Sequence, residues 1–217
     1  WWEQELRREL TMGLKQVLLL GAGLESLPCP QTAEMERMSF YEVDTPAVLA
    51  EKEKRLREVG ITTPRNVYRV GVDLAEDWEK TLLEMTPFAT EQRTLTALLG
   101  VVYYLPRAAM EALLKRLATI TPRGSSLLFD CPMRDFGTGE DAAGQQRALA
   151  KSAGETMEQG YTLPELALML ERHGFLIYED MGPREITERF YAGYNEGHPE
   201  SPVLPLPGTA LVLAARH

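Results

Sequence analysis

Three short stretches carry residue types able to hold a small charged ligand. Gly21-Ala22-Gly23 closes the apolar run from Val17 to Leu20, and glycines there let the backbone pass close to a bound group and turn sharply. Glu42 and Asp44 end a second run, about twenty residues on, where a carboxylate can accept both hydrogen bonds of a ribose diol. Asp44 can equally cap the following helix, and with two carboxylates present one suffices for each task. Asp73-Leu74 ends a third run, where an acid can meet an exocyclic amine and a leucine can cover an adenine face. The plainer alternative is an Asp that caps its own turn. Together the three stretches outline a nucleoside-shaped site.

The residues after the glycines discriminate between nucleosides. A dinucleotide fingerprint wants a third glycine below the pyrophosphate, but this chain has Leu24-Glu25-Ser26, and Glu25 repels a diphosphate. A cofactor with a cationic sulfonium and a zwitterionic amino-acid tail is compatible with that carboxylate. S-adenosylmethionine, with S-adenosylhomocysteine as its product, therefore outranks NAD. Two other classes stay open: a nicotinamide oxidoreductase on a similar sheet, and a non-catalytic nucleoside-binding module.

The elements that must position these residues follow from hydrophobic period. Continuous apolar runs at 16–20, 38–43, 66–72, 94–99, 125–130, 175–179 and 209–215 predict seven strands, several of them buried on both faces. Helical spacing predicts helices at 1–12, 46–60, 78–85, 106–122, 162–173 and 186–194, the second opened by Thr45-Pro46 and the fifth by the capping box Thr162-Leu163-Pro164-Glu165. Strand and helix alternate throughout, which specifies one doubly wound α/β sheet over residues 1–217. Residues 137–160 read as a loop and helix inserted over the open end of the sheet, and 183–205 as a second cover. The chain opens on Trp1-Trp2 without an initiator Met, so a natural N-terminal segment is expected to precede it.

Composition narrows the partners. With 44% hydrophobic and 25% charged residues the chain is not a disordered one, and a formal charge of -9 disfavours a nucleic-acid partner. No apolar run approaches the ~20 residues of a membrane helix. Cys29 and Cys131 lie far apart without clustered His, which argues against a disulfide framework or a metal site and fits the cytoplasm.

Taken together, Val17-Leu18-Leu19-Leu20-Gly21-Ala22-Gly23-Leu24-Glu25, Tyr41-Glu42-Val43-Asp44-Thr45-Pro46, Val72-Asp73-Leu74 with Trp78, and Gly100-Val101-Val102-Tyr103-Tyr104-Leu105-Pro106 resemble the leucine carboxyl methyltransferase-like family of class I S-adenosylmethionine methyltransferases. The resemblance covers most of the chain from Gln16 to Asp130. It implies a Rossmann-like seven-stranded sheet of order 3-2-1-4-5-7-6 with the last strand antiparallel. It also implies a methionine tail near Gly21, Ala22 and Gly23, ribose on Asp44, and adenine beside Asp73 and Leu74. Leu99 before Gly100 departs from the family's Glu at that position, and the family's N-terminal Arg has no counterpart, since Arg7 and Arg8 read as solvated charges.

The implied reaction is methyl transfer to an oxygen, a carboxylate or hydroxyl, of a small-molecule acceptor. It relies on positioning and desolvation and needs no base when the acceptor is already a carboxylate. No residue is assigned as catalytic. Tyr103, Tyr104, Tyr194 and His198 are candidates to line the acceptor, with Met133, Met157 and Tyr161 beneath the cover. His173 reads as a helix C-terminal residue.

Overall fold

The computed structural model describes residues 1–26, 32–136, 142–152, 156–158 and 160–217. Seven strands form one sheet: β1 Gln16–Leu20, β2 Ser39–Asp44, β3 Val67–Gly71, β4 Thr94–Leu98, β5 Ser126–Pro132, β6 Phe175–Met181 and β7 Thr209–Arg216. Their order is β3-β2-β1-β4-β5-β7-β6, with β7 antiparallel to both neighbours and the other pairs parallel, as expected. Every residue of β1 and β4 is buried, which explains why these strands read as continuous rather than alternating apolar runs.

Helices cover both faces. On one face, α3 (Trp78–Met85), α4 (Arg107–Ile120) and α6 (Leu163–Arg172) bury Trp78, Leu82, Met110, Leu114 and Leu166 against Leu18, Val43 and Phe129 of the strands. On the other, α1 (Trp2–Thr11) lays Trp2 and Leu6 over Val17, Leu19, Leu95 and Ala97. Glu5 and Glu9 of α1 are buried as well. Glu9 holds Arg93 at 2.7 Å and the Ser126 hydroxyl at 2.5 Å, and Glu5 pairs with Arg8 at 2.9 Å. Helix α2 (Pro46–Glu58) starts where the sequence places it, with Thr45 as N-cap and Pro46 in the first turn. The capping box of α6 forms in full: the Thr162 amide donates to Glu165 Oε2 at 2.9 Å, and the Glu165 amide donates to Thr162 Oγ1.

Within the expected insertion, α5 (Ala142–Ser152) docks Ala143 and Ala150 on Tyr103, Phe136 and Met157. Residues 137–141, 153–155 and 159 lie outside the described part. The helix expected at 186–194 is longer and in three pieces: α7 (Pro183–Ile186), a π turn (Thr187–Tyr191) and α8 (Ala192–Gly197). Arg189 of the π turn donates to Glu179 of β6 at 2.7 Å. β6 also carries a bulge, since its register against β7 passes from Ile177 to Glu179 and skips the exposed Tyr178.

Candidate active site

The parallel strands end at one edge, and a cleft of about 270 Å³ opens there between β1 and β4. Leu19, Leu20, the turn from Gly21 to Glu25, Ala97 and Leu99 line it. The turn is pinned to β2 because the Gly21 and Ala22 amides both donate to the Val43 carbonyl, at 2.9 and 3.2 Å. Gly21 has φ +68°, and a Cβ on it would lie 2.4 Å from Val101 Cγ2, so both conformation and space require glycine. Gly23 has φ +47°, but a Cβ there would find nothing nearer than the Gly21 carbonyl oxygen at 3.9 Å. Its constraint is conformational.

Asp44 closes the turn from the β2 side. Its Oδ2 accepts the Gly23 amide at 2.8 Å and its Oδ1 the Thr45 amide at 2.7 Å. Thr45 itself caps α2, so Asp44 does not serve as that cap. A carboxylate has about four acceptor positions, so two remain for a ligand. Glu42, the other expected ribose contact, is 1% exposed with both oxygens occupied. Lys52 of α2 and Arg69 of β3 each donate to it at 2.8 Å. The strand-end reading of Glu42 is therefore corrected: this carboxylate neutralises a buried lysine and ties β2 to α2 and β3, which leaves Asp44 as the strand-end acceptor.

Asp73 is exposed and accepts the Ala75 amide at 2.8 Å, the turn-capping arrangement, while Leu74 packs half-buried against the core. Past β4, Leu99 lines the cleft and Gly100, with φ +70°, donates its amide to Asp130 Oδ1 at 2.7 Å. Sequence reasoning passes over Asp130 and Val101. Asp130 ends the fifth apolar run, so the strand-end rule that singles out Asp44 points to it too. A larger groove, about 650 Å³, lies between α1 and residues 32–38; none of its lining residues ends a strand.

The family model for leucine carboxyl methyltransferase matches residues 1–118. The chain belongs to this family. A protein of Bacillus subtilis (strain 168) that carries the name of an S-adenosyl-L-methionine-dependent methyltransferase, YktD, is 32% identical over 194 residues, which cover 88% of this chain and 63% of that protein. Among solved structures, an O-methyltransferase family protein from Burkholderia thailandensis aligns with TM-score 0.59 at 11% identity, over 95% of this chain and 52% of that one. NcsB1, an O-methyltransferase from neocarzinostatin biosynthesis solved with S-adenosyl-L-homocysteine and 1,4-dihydroxy-2-naphthoic acid, aligns with TM-score 0.57 at 15% identity, over 94% and 50%. At such identities the structural matches show the fold. The chain thus spans less than two thirds of the Bacillus relative and about half of these structures.

In this member of the leucine carboxyl methyltransferase family the expected acceptor-side residues separate into two groups. Tyr103 is 5% exposed and points its hydroxyl at Thr209 Oγ1, 3.1 Å away, so it packs beneath the edge. Burial pushes its phenol pKa well above the ordinary value, which keeps it neutral. Tyr104 is the exposed member of the pair. Tyr161 is buried under the Arg107 guanidinium, 4.8 Å from its ring centre, and Met133 bridges to it. Tyr194 and His198 stack on each other with ring centres 4.1 Å apart, and His198 Nδ1 lies 2.9 Å from the Tyr194 carbonyl oxygen. Both are exposed, in the stretch between β6 and β7. His173 ends α6 as expected. Arg7 is exposed, whereas Arg8 pairs with the buried Glu5.

Proposed function

We propose that the chain binds S-adenosylmethionine in the β1–β4 cleft and transfers its methyl group to an oxygen, a carboxylate or hydroxyl, of a small-molecule acceptor. The observation that carries this reading is the clasp of Gly23 by Asp44 beside Glu25 at the cleft mouth. The clasp leaves acceptor positions on Asp44 for a ribose diol. Glu25 suits a cationic, zwitterionic ligand and opposes the diphosphate of a nicotinamide cofactor. The cofactor supplies an activated methyl on a sulfonium. The chain's own residues bind and orient: Gly21 gives the left-handed turn that lets Val101 pack beneath it, Asp44 takes the ribose, Asp73 and Leu74 stand after β3 for the base, and Leu99 and Ala97 keep the inner wall apolar. The apolar wall excludes water from the transfer, which strengthens charge interactions there. The family membership and the names of its relatives support the same class.

The cytoplasm is the location we propose, and no described helix is long and apolar enough to cross a membrane. The test is calorimetric titration with S-adenosylmethionine, S-adenosylhomocysteine and NAD. Binding of the first two without the third supports the reading. Binding of NAD alone replaces it with the oxidoreductase. Transfer of labelled methyl to a panel of carboxylic and hydroxylic acceptors then assigns the oxygen.

A further inference from the structure

The carboxylate of Asp130 stands at the ligand edge of the sheet and has no part in the reading above. Its Oδ1 accepts the Gly100 amide at 2.7 Å, and three residues further along the same turn the Tyr103 hydroxyl lies 3.1 Å from Thr209 Oγ1 at the start of β7. The Tyr103 carbonyl in turn accepts the Glu158 amide at 2.8 Å. One carboxylate and one phenol therefore connect the turn after β4, the end of β5, the start of β7 and residues 156–158 of the insertion.

Gly100 shows why that connection matters to the cleft. Its φ is +70°, yet a Cβ there would meet nothing within 4 Å, so glycine serves the left-handed conformation and not close packing. That conformation presents the amide which Asp130 accepts. On either side of it, Leu99 lines the cleft and Val101 fills the space that Gly21 leaves open. The residue held by Asp130 thus stands between the side chain that lines the cleft, Leu99, and the one packed against the Gly21 turn, Val101.

We propose that Asp130 is a positioning residue: by holding the Gly100 amide it fixes the turn after β4 and so sets the β4 wall of the cleft. The proposal deepens the reading of this cleft as a S-adenosylmethionine site and rests on it for its ligand. A backbone amide, rather than a cation, is what this carboxylate holds, so its contribution lies in geometry.

The experiment compares the whole chain with Asp130→Ala and Asp130→Asn, reading S-adenosylhomocysteine affinity and hydrogen exchange at the Gly100 amide. Asp130→Ala removes the acceptor, and affinity should fall by about tenfold or more while Gly100 exchange accelerates. Asp130→Asn keeps an oxygen at the same place, and both readouts should stay within about threefold of wild type. A purely structural role would lower the melting temperature of both variants without this rescue in affinity. Should Asp130→Ala fail to fold, the wild-type Gly100 amide resonance is followed against pH. A shift governed by one carboxyl ionisation, absent in Asp130→Asn, upholds the contact, and a flat profile overturns it. Unchanged affinity and exchange in a folded Asp130→Ala also overturns the proposal. If the wild type binds neither S-adenosylmethionine nor S-adenosylhomocysteine, the ligand reading fails by itself, and Gly100 exchange still decides whether Asp130 holds the turn.

Discussion

Asp44 Oδ2 accepts the Gly23 amide at 2.8 Å across 21 positions of sequence, so one carboxylate shapes the glycine turn and is also the group proposed to take the ribose. This dual role alters what its removal should do. Asp44→Ala is expected to weaken S-adenosylhomocysteine binding by about 1.5 to 3 kcal/mol through loss of charge-assisted hydrogen bonds. It should also lower the stability of the unliganded protein by about 1 kcal/mol, because the Gly23 and Thr45 amides lose their acceptor. Calorimetry and thermal melting on one preparation check both, and an unchanged dissociation constant removes Asp44 from the site.

The two glycines should respond differently. A valine at Gly23 does not fill the cleft by its Cβ, which has open space around it, so its cost is the left-handed backbone, about 1 to 2 kcal/mol. Gly21→Ala adds a collision with Val101 Cγ2 to that cost and should be the more damaging to both folding and binding. Trimming the obstacle in Gly21→Ala/Val101→Ala should recover part of the loss. If the double variant melts no higher than Gly21→Ala, the Val101 contact is not what excludes a side chain.

Glu42 should behave as a fold residue. Removing one member of a buried, hydrogen-bonded ion cluster leaves an uncompensated charge, so Glu42→Ala is expected to cost about 3 to 5 kcal/mol of stability. Among molecules that remain folded, S-adenosylhomocysteine affinity should stay within about twofold, since the carboxylate touches Lys52 and Arg69. Chemical denaturation gives the first quantity and titration at low temperature the second. A large loss of affinity with little loss of stability would return Glu42 to the binding set.

Burial pushes the Asp130 carboxyl above its ordinary value of 3.8, with hydrogen bonds from the Gly100 amide and its own backbone partly opposing the shift. A carboxyl with a raised folded pKa binds its proton more tightly in the folded state. Stability on this account is greatest at acid pH and falls as pH rises from the unfolded value through the folded one. The groups facing it stay neutral over that window, since burial raises the Tyr103 phenol and pushes the Cys131 thiol up to about 12. Asp130→Asn should therefore melt higher than wild type at neutral pH, with the gap closing on acidification. Parallel melting curves across pH test this; a gap independent of pH counts against it.

What the sequence made legible follows from range along the chain. β1 and β4 could be read because burial on both faces leaves a continuous apolar run, and the helix starts because their caps lie within three residues. The sheet order came from the resemblance, as no local pattern states which strands pair. The ion cluster of Glu42 is not legible because its partners Lys52 and Arg69 stand 10 and 27 residues away and only strand register brings Arg69 beside it. The difference between Gly21 and Gly23 rests on Val101, from another strand's turn. Asp130 could have been found by the strand-end rule, but its partner Gly100 lies 30 residues before it.

The covering segments should choose the acceptor. Both α5 and the stretch from α7 to α8 connect strands at the carboxyl edge, where a loop can contact an acceptor without touching the glycine turn. Tyr194 and His198 are exposed, and their stacked rings make them one surface. Replacing either by Ala should change acceptor turnover by about tenfold or more while moving cofactor affinity by less than about 1 kcal/mol. Because the rings act as a unit, the double variant should lose little more than the worse single one. The measurement is paired titration and turnover for the two single variants and the double. Matching losses in affinity and turnover would mean the segment touches the cofactor or supports the fold. Additive losses would mean that the stacked pair does not act as one, and each ring would then meet the acceptor by itself.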